Sequence, residues 1–172
     1  MRSFETERLR VRDWTPDIAD PARRQALQAA LEELLTERVL RHLPPPLRLS
    51  DGAEEIGPWI EARAAESDVG LVLERDTDRL VGLLILAFMT GEAETAVCHL
   101  GYLFAETAWG RGYATELVTG LAATLDREHP VMLAGGVGRD NPASARVLQK
   151  AGFTKDPELS DAETEIYLRR PG

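Results

Sequence analysis

The chain has one cysteine, Cys98, in 172 residues. A lone thiol excludes a disulfide framework and a cysteine-built zinc cluster. Long apolar runs are also missing: no stretch reaches the roughly 20 residues that a membrane-spanning helix needs. Met1-Arg2-Ser3 leads into charged sequence, not an apolar leader core, so a cytoplasmic location is the default expectation. Positive charge is scarce, with 20 Lys and Arg against 29 Asp and Glu and a formal net charge of −9. That balance argues against nucleic acid and anionic membrane as partners, and is compatible with a cationic amine. Internal repeats and long low-complexity tracts are absent. What remains, 44% hydrophobic and 28% charged residues, describes a globular chain, expected to form a single domain over residues 1–172.

The most informative stretch is Trp109-Gly110-Arg111-Gly112-Tyr113-Ala114-Thr115-Glu116. A strongly apolar strand pattern, His99 to Phe104, precedes it. A helix pattern follows, with apolar residues at Ala114, Leu117, Val118, Leu121, Ala122 and Leu125 on one face. Strand, glycine turn and helix start together make an anion holder: the first helical N–H groups lack partners and the macrodipole adds positive potential. Gly110 and Gly112 permit close approach of a ligand to the backbone. Arg111 contributes a charge. The expected ligand is a pyrophosphate. A P-loop would end in Gly-Lys-Ser/Thr, and a dinucleotide fingerprint would need a third glycine at Thr115; neither condition is met.

Elsewhere the chain reads as alternating elements. Arg8 to Trp14 has strand periodicity, and 17–43 reads as helix in two pieces, with Asp20 as N-cap and Pro21 in the first turn. Pro44 to Pro46 stop it. A second helix follows Ser50-Asp51. Strands are expected over 69–74, 80–89 and 95–104, joined by turns at Asp76-Thr77-Asp78 and Gly91. A strand over 131–137, a helix from Asn141 to Ala151 with Gly152 at its C-terminus, and a strand over 164–169 complete the pattern. The class is α/β (α+β): a mixed, mostly antiparallel central sheet with helices on both faces.

The glycine turn resembles the acyl-coenzyme A loop of the GNAT N-acetyltransferase superfamily, in which Gly112 and Ala114 match the last two anchors. Leu100-Gly101-Tyr102 together with residues 109–116 is similar to the branch that acetylates ribosomal-protein N-termini (alanine or serine). Asn141-Pro142-Ala143-Ser144, running on to Lys150-Ala151-Gly152-Phe153, matches a second motif in the right order. The resemblance covers roughly Glu7 to Arg170. It implies a GNAT fold with a splay between the strands ending at Phe104 and starting at Val131, which admits the pantetheine arm. It implies acetyl-CoA as cofactor and transfer of its acetyl group to a primary amine, on a protein N-terminus or a small molecule, by direct attack. Monomer and homodimer both remain open.

Transfer of an acetyl group from a thioester to an amine sets three requirements. An ammonium of pKa about 10 must lose a proton, developing negative charge needs N–H donors, and a thiolate must depart. His99, with an ordinary pKa of about 6.5, stands where the branch commonly has Glu and is the candidate base; Glu92 and Glu94 are weaker substitutes. Leu103, Phe104 and Ala105 are expected to present backbone N–H groups. Leu148 occupies the place of the Tyr that many members use as acid, which leaves Ser144, from the Asn-x-x-Ser motif, to donate a hydrogen bond to sulfur. The resemblance assigns Trp109 to Thr115 and Asn141 to the coenzyme. Arg146 could reach its phosphates, although a solvated face is the alternative. Trp59 and Tyr102 are the candidate acceptor contacts; read structurally, Trp59 is a core residue. His42 and His129 suit helix ends, and Cys98 suits the core. Two other functions are compatible with the pattern: an acyl-CoA-binding sensor or inactive scaffold, and an enzyme using the turn for a different phosphate.

Overall fold

The computed structural model describes residues 3–41, 43, 49, 56–90, 96–128 and 130–172. His42, Pro44 to Pro46, Ser50-Asp51, Gly91, Glu92, Glu94 and His129 lie outside them. The period-two segments become strands: β1 (Phe4–Glu5), β2 (Leu9–Asp13), β3 (Asp68–Glu74), β4 (Leu80–Thr90), β5 (Ala96–Phe104), β6 (Met132–Gly138), β7 (Thr154–Asp156) and β8 (Thr164–Arg169). They form one sheet in the order β1-β2-β3-β4-β5-β6-β8-β7. Every pairing is antiparallel except β5 with β6. β1 and β7 are too short to show a period in the sequence.

Helices cover both faces. α1 (Thr15–Ala19), α2 (Pro21–Leu34), α3 (Glu37–Leu40) and α4 (Ile56–Glu66) lie on one side, α5 (Tyr113–Glu128) and α6 (Pro142–Lys150) on the other. The expected two-piece helix is three pieces. Asp20 and Thr36 each cap a new start, accepting from Arg23 N at 2.9 Å and Val39 N at 3.4 Å.

Strand alternation divides the core in two. Cys98, Leu100 and Phe104 of β5 pack with α5 and α6, whereas Leu103 packs with Leu31, Ile60 and Trp59 beneath α2 and α4. Each fully buried leucine contributes about 1.5–3 kcal/mol of transfer free energy, so both layers hold the central strands firmly. β4 is apolar on both faces because it lies in mid-sheet, as its unbroken run 80–89 predicts. The register shifts between Val72 and Leu73, leaving Val81 of β4 as a bulge opposite them. There Gly82 lies so close to β5 that an added Cβ would sit 2.4 Å from the Leu103 carbonyl oxygen.

Gly82→Ala should therefore cost about 1–3 kcal/mol through forced displacement of β5. The measurement is urea unfolding, where the midpoint should fall with the slope unchanged. An unaltered midpoint would show that the β4–β5 contact yields freely.

Candidate active site

The parallel ladder between β5 and β6 is short. Val97 pairs with Met132, Cys98 with Leu133 and His99 with Ala134, and there it ends, although β5 runs on to Phe104 and β6 to Gly138. β6 stays paired with β8 as far as Gly138, so it is β5 and β6 that part from each other. The gap opens into a cavity of about 750 Å³, a size ordinary for a ligand site. Its walls include His99, Tyr102, Phe104, Gly136 and Ser144, and it reaches Gly110 and Gly112 at one end.

Backbone direction alternates along a strand. Ala105 N–H donates to Val81 O at 2.9 Å, toward β4. Leu103, two residues back, turns its N–H the same way at its partner Leu83. The expectation that Leu103, Phe104 and Ala105 all offer N–H groups is therefore corrected: Leu103 and Ala105 spend theirs on β4. By the same alternation Tyr102 and Phe104 direct theirs away from β4, toward the gap.

A 3-10 turn, Glu106–Ala108, leads from β5 to the glycine turn. Glu106 ties this turn to α3, accepting from Thr36 Oγ1 at 2.6 Å and from Arg38 at 2.5 Å. Trp109 donates its indole N–H to Phe104 O at 2.8 Å, with the Arg38 guanidinium 5.4 Å from its ring centroid. Gly110 and Gly112 adopt φ of +73° and +80°, the left-handed region that glycine enters without penalty. The first backbone bond of the helix is Glu116 N to Gly112 O; among the described residues, the N–H groups of Gly110 to Thr115 donate to no protein acceptor. Trp109, Gly110, Gly112, Tyr113, Ala114 and Thr115 all line the cavity.

Arg111 does not line it. Its guanidinium pairs with Glu74 at 2.9 Å and stacks 4.6 Å from the Tyr113 ring centroid. The expectation of an Arg111 charge facing the ligand is corrected, because the Glu74 carboxylate is a nearer partner; Arg111 keeps only its N–H for the turn. Glu74 also accepts from the buried Tyr113 hydroxyl at 2.6 Å. Hydrogen bonds from Tyr113 and Thr77, with Arg111 and Arg79 beside it, hold the Glu74 carboxyl down at about 2. Arg8 completes the mount, donating to Arg111 O at 3.0 Å and to Glu116 at 2.7 Å.

His99 is exposed into the cavity, and its imidazole has no hydrogen-bond partner among the described residues. Ile85, Ala87, Arg63, Glu66 and Ser67 line the same end. Arg63, only 4% exposed, pairs with Glu66 at 2.8 Å. Trp59 is not on this wall. It is buried edge-on to Trp14, with ring centroids 6.4 Å apart, so its candidacy as an acceptor contact is corrected to a core role. Tyr102 lines the cavity from the opposite sheet face to His99, beside α6, and so stands apart from the acceptor end.

Asn141 caps α6, its Oδ1 accepting from Ser144 N at 3.1 Å. Ser144 itself stands on the cavity wall, with the Tyr102 hydroxyl as a neighbour of its own. Arg146 and Lys150 are exposed at the mouth, without an ion-pair partner among the described residues. Leu148 is buried against Gly135, where a Cβ would meet it at 2.9 Å. Cys98 is buried, and desolvation pushes its thiol up to about 12, so it is inert. Sequence reasoning missed Gly135, Gly136 and Gly138, which form the floor along β6. Paired glycines inside a strand were the available signal, since they mark close approach of another backbone or a ligand. It also missed Glu74, for which no local pattern exists.

Residues 8–154 match the family model described as acetyltransferase (GNAT) domain. The chain belongs to the GNAT acetyltransferase family, and is an acetyltransferase by that membership. Among curated proteins none matches it significantly. Solved structures share the fold at low identity. A GNAT-family acetyltransferase from Bacillus anthracis superposes with TM-score 0.74 at 17% identity, over 99% of each chain. RimL, a ribosomal L7/L12 alpha-N-protein acetyltransferase in complex with coenzyme A, gives 0.73 at 16% identity over 98% of each. The Salmonella typhimurium acetyltransferase that modifies the N-terminal serine of 50S ribosomal subunit protein L7/L12 gives 0.70 at 17% identity, over 96% of each.

The Glu74 anchor makes a pH prediction. Its folded pKa of about 2 lies below the ordinary 4.5, so its stabilisation is complete above about pH 4.5 and is lost as pH falls toward 2. Glu74→Gln should lower the thermal midpoint at neutral pH, and the difference from wild type should vanish near pH 2. A constant difference across that window would show that the carboxylate charge is not what secures the turn.

Proposed function

We propose that this chain transfers an acetyl group from acetyl-CoA to a primary amine by direct attack, the acceptor being a peptide N-terminus or a small amine. The single observation that carries the proposal is the interrupted β5–β6 ladder, which ends at His99 and leads to a turn whose N–H groups from Gly110 to Thr115 are uncommitted. Those residues fit the coenzyme. A row of free amides at a helix start suits a pyrophosphate. Phe104 and Tyr102 can pair their main chain with an arm lying along the gap in place of β6. Asn141 and Ser144 face that arm from α6, and Arg146 at the mouth suits the terminal phosphates.

Acetyl-CoA, when bound, supplies an acyl group activated as a thioester. The protein holds the acceptor against it, and proximity accounts for much of the rate, since no covalent enzyme intermediate is required. His99 takes the ammonium proton, directly or through one water. Its imidazole faces the cavity at the last rung of the ladder, with no competing partner among the described residues. Ser144 donates toward the sulfur end. Backbone N–H groups of the open strand offset negative charge as it develops. The likeness to acetyltransferases named for ribosomal-protein N-termini supports a peptide acceptor, and exposed Glu66 beside His99 suits a cationic one.

Thiol release from acetyl-CoA across a panel of peptides and amines tests the proposal. His99→Ala should lower kcat/KM by about 10²–10⁴ while leaving coenzyme affinity unchanged; an unaltered kcat/KM would exclude His99 as base. Tight coenzyme binding without release by any acceptor would favour a sensor instead.

Gly112→Glu should abolish coenzyme binding, through bulk and negative charge at the anion site. Gly112→Ala, which imposes only the strain of φ +80°, should weaken it far less. Calorimetric affinities that are equal for both variants would remove the turn from the coenzyme site.

A further inference from the structure

One polar atom on the cavity wall has no assigned task. Tyr102 Oη is buried and has no hydrogen-bond partner among the described residues. A buried hydroxyl without a partner is uncommon, and implies either a functional role or a partner that arrives with a ligand. Tyr102 lies on the open part of β5, beyond the last rung at His99, and its ring packs toward α6, 6.5 Å from the Phe104 ring centroid. The Ser144 hydroxyl is near enough to ease its ionisation, though not in hydrogen-bond geometry with it. Burial outweighs that effect and raises the phenol above its ordinary value, so it stays protonated and can act only by donating or accepting a hydrogen bond.

The two hydroxyls differ in access. Tyr102 Oη is closed to solvent, whereas Ser144 is half-buried, lines the cavity, and has its backbone N–H already committed to Asn141 at 3.1 Å. We propose that Tyr102 is a positioning residue: its O–H closes onto Ser144 Oγ when the gap is filled, leaving the single Ser144 hydrogen aimed at the coenzyme sulfur. Each hydroxyl has one donor, so a serine that accepts from a buried tyrosine must direct its own proton elsewhere. The cavity is the direction left open, and coupled hydroxyls polarise one another, which strengthens the outward bond.

The chemistry balances without a proton passing through the pair. Acyl transfer forms a C–N bond and breaks a C–S bond, whose electron pair remains on sulfur. The amine gives up its proton to the base, and one proton from solvent later neutralises the thiolate. A phenol is a weaker acid than a thiol, so Tyr102 and Ser144 lower the charge density on sulfur by hydrogen bonding and both retain their protons. The inference rests on the coenzyme site proposed above.

The test needs no acceptor. Affinities of coenzyme A and desulfo-coenzyme A are measured by calorimetry between about pH 7 and about pH 9 for wild type, Tyr102→Phe, Ser144→Ala and the double variant. Both ligands meet His99 on β5, Arg63 and Glu66 on α4, and Arg146 and Lys150 on α6, so their ratio isolates the thiol. Cys98, held up at about 12, does not titrate in that range. In wild type the preference for coenzyme A should grow about tenfold more with pH than in either single variant, because a donor to sulfur lowers the thiol pKa by about one unit. The double variant should lose no more than each single one. A wild-type ratio in Tyr102→Phe, or additive losses, would overturn the inference while leaving the coenzyme site standing. Failure of wild type to bind coenzyme A would overturn both. The thermal midpoint of Tyr102→Phe should not fall; a fall would mean the hydroxyl already has a partner within the protein, and would also count against it.

Discussion

A buried sheet does not ordinarily tolerate a half-paired strand. Backbone N–H and C=O groups removed from water need partners, and leaving them open costs about 1–3 kcal/mol apiece. Here β5 is fully paired with β4 on one edge, yet past His99 its other edge faces β6 without pairing with it. β6 cannot swing across, because β8 holds it as far as Gly138 and Leu148 packs directly under Gly135. β5 is held from both sides by the two core layers. The gap is thus fixed by the packing of its neighbours, and the site depends on that enforced separation.

The glycine turn is secured by a different means. Among the described residues its amides from Gly110 to Thr115 donate to no protein acceptor, so they do not hold the turn in place. Side chains do that work from behind. Trp109 grips the end of β5, Glu106 reaches α3, and Arg111 with Tyr113 converges on Glu74. The net effect on charge is notable. Arg111 is neutralised by Glu74 and Arg8 by Glu116, so positive potential at the turn comes chiefly from the helix start and its free amides. The exposed cations Arg146 and Lys150 stand at the mouth, where they meet solvent.

Most of the architecture was legible in the sequence because it follows from local periodicity. The β3–β5 meander, the α5 stripe and the Asn141 cap all derive from residues near one another in the chain, whereas the position of the splay came from the family resemblance. The errors share a cause: each concerns where a side chain or amide is spent, which depends on distant partners. Arg111 looked like a ligand charge until Glu74, 37 residues earlier in the chain, claimed it. Ala105 looked like a free donor, but its N–H donates a hydrogen bond to the Val81 carbonyl oxygen. Trp59 was open between an acceptor contact and a core role, and its burial edge-on to Trp14 decides for the core. β1 and β7 exist because neighbours recruit them, not because two or three residues can specify a strand.

The sheet also separates the residues to which the proposed reaction assigns its two halves. Along β5, His99 projects toward the α1–α4 side while Tyr102 projects toward α5 and α6, three residues on and on the opposite face. In an unbroken sheet, groups so arranged could never meet a common ligand. Because the ladder stops between them, the gap becomes a passage through the sheet, and a group threaded along it is reached from both sides. In the reaction proposed above, proton removal from the acceptor and hydrogen bonding to the departing sulfur would then be served by separate environments. One holds the exposed His99 with Glu66 and Arg63; the other holds the buried Tyr102 hydroxyl beside Ser144. A base that must exchange protons with water and a donor that must stay protonated make opposite demands on solvent access, and under that proposal strand alternation would meet both.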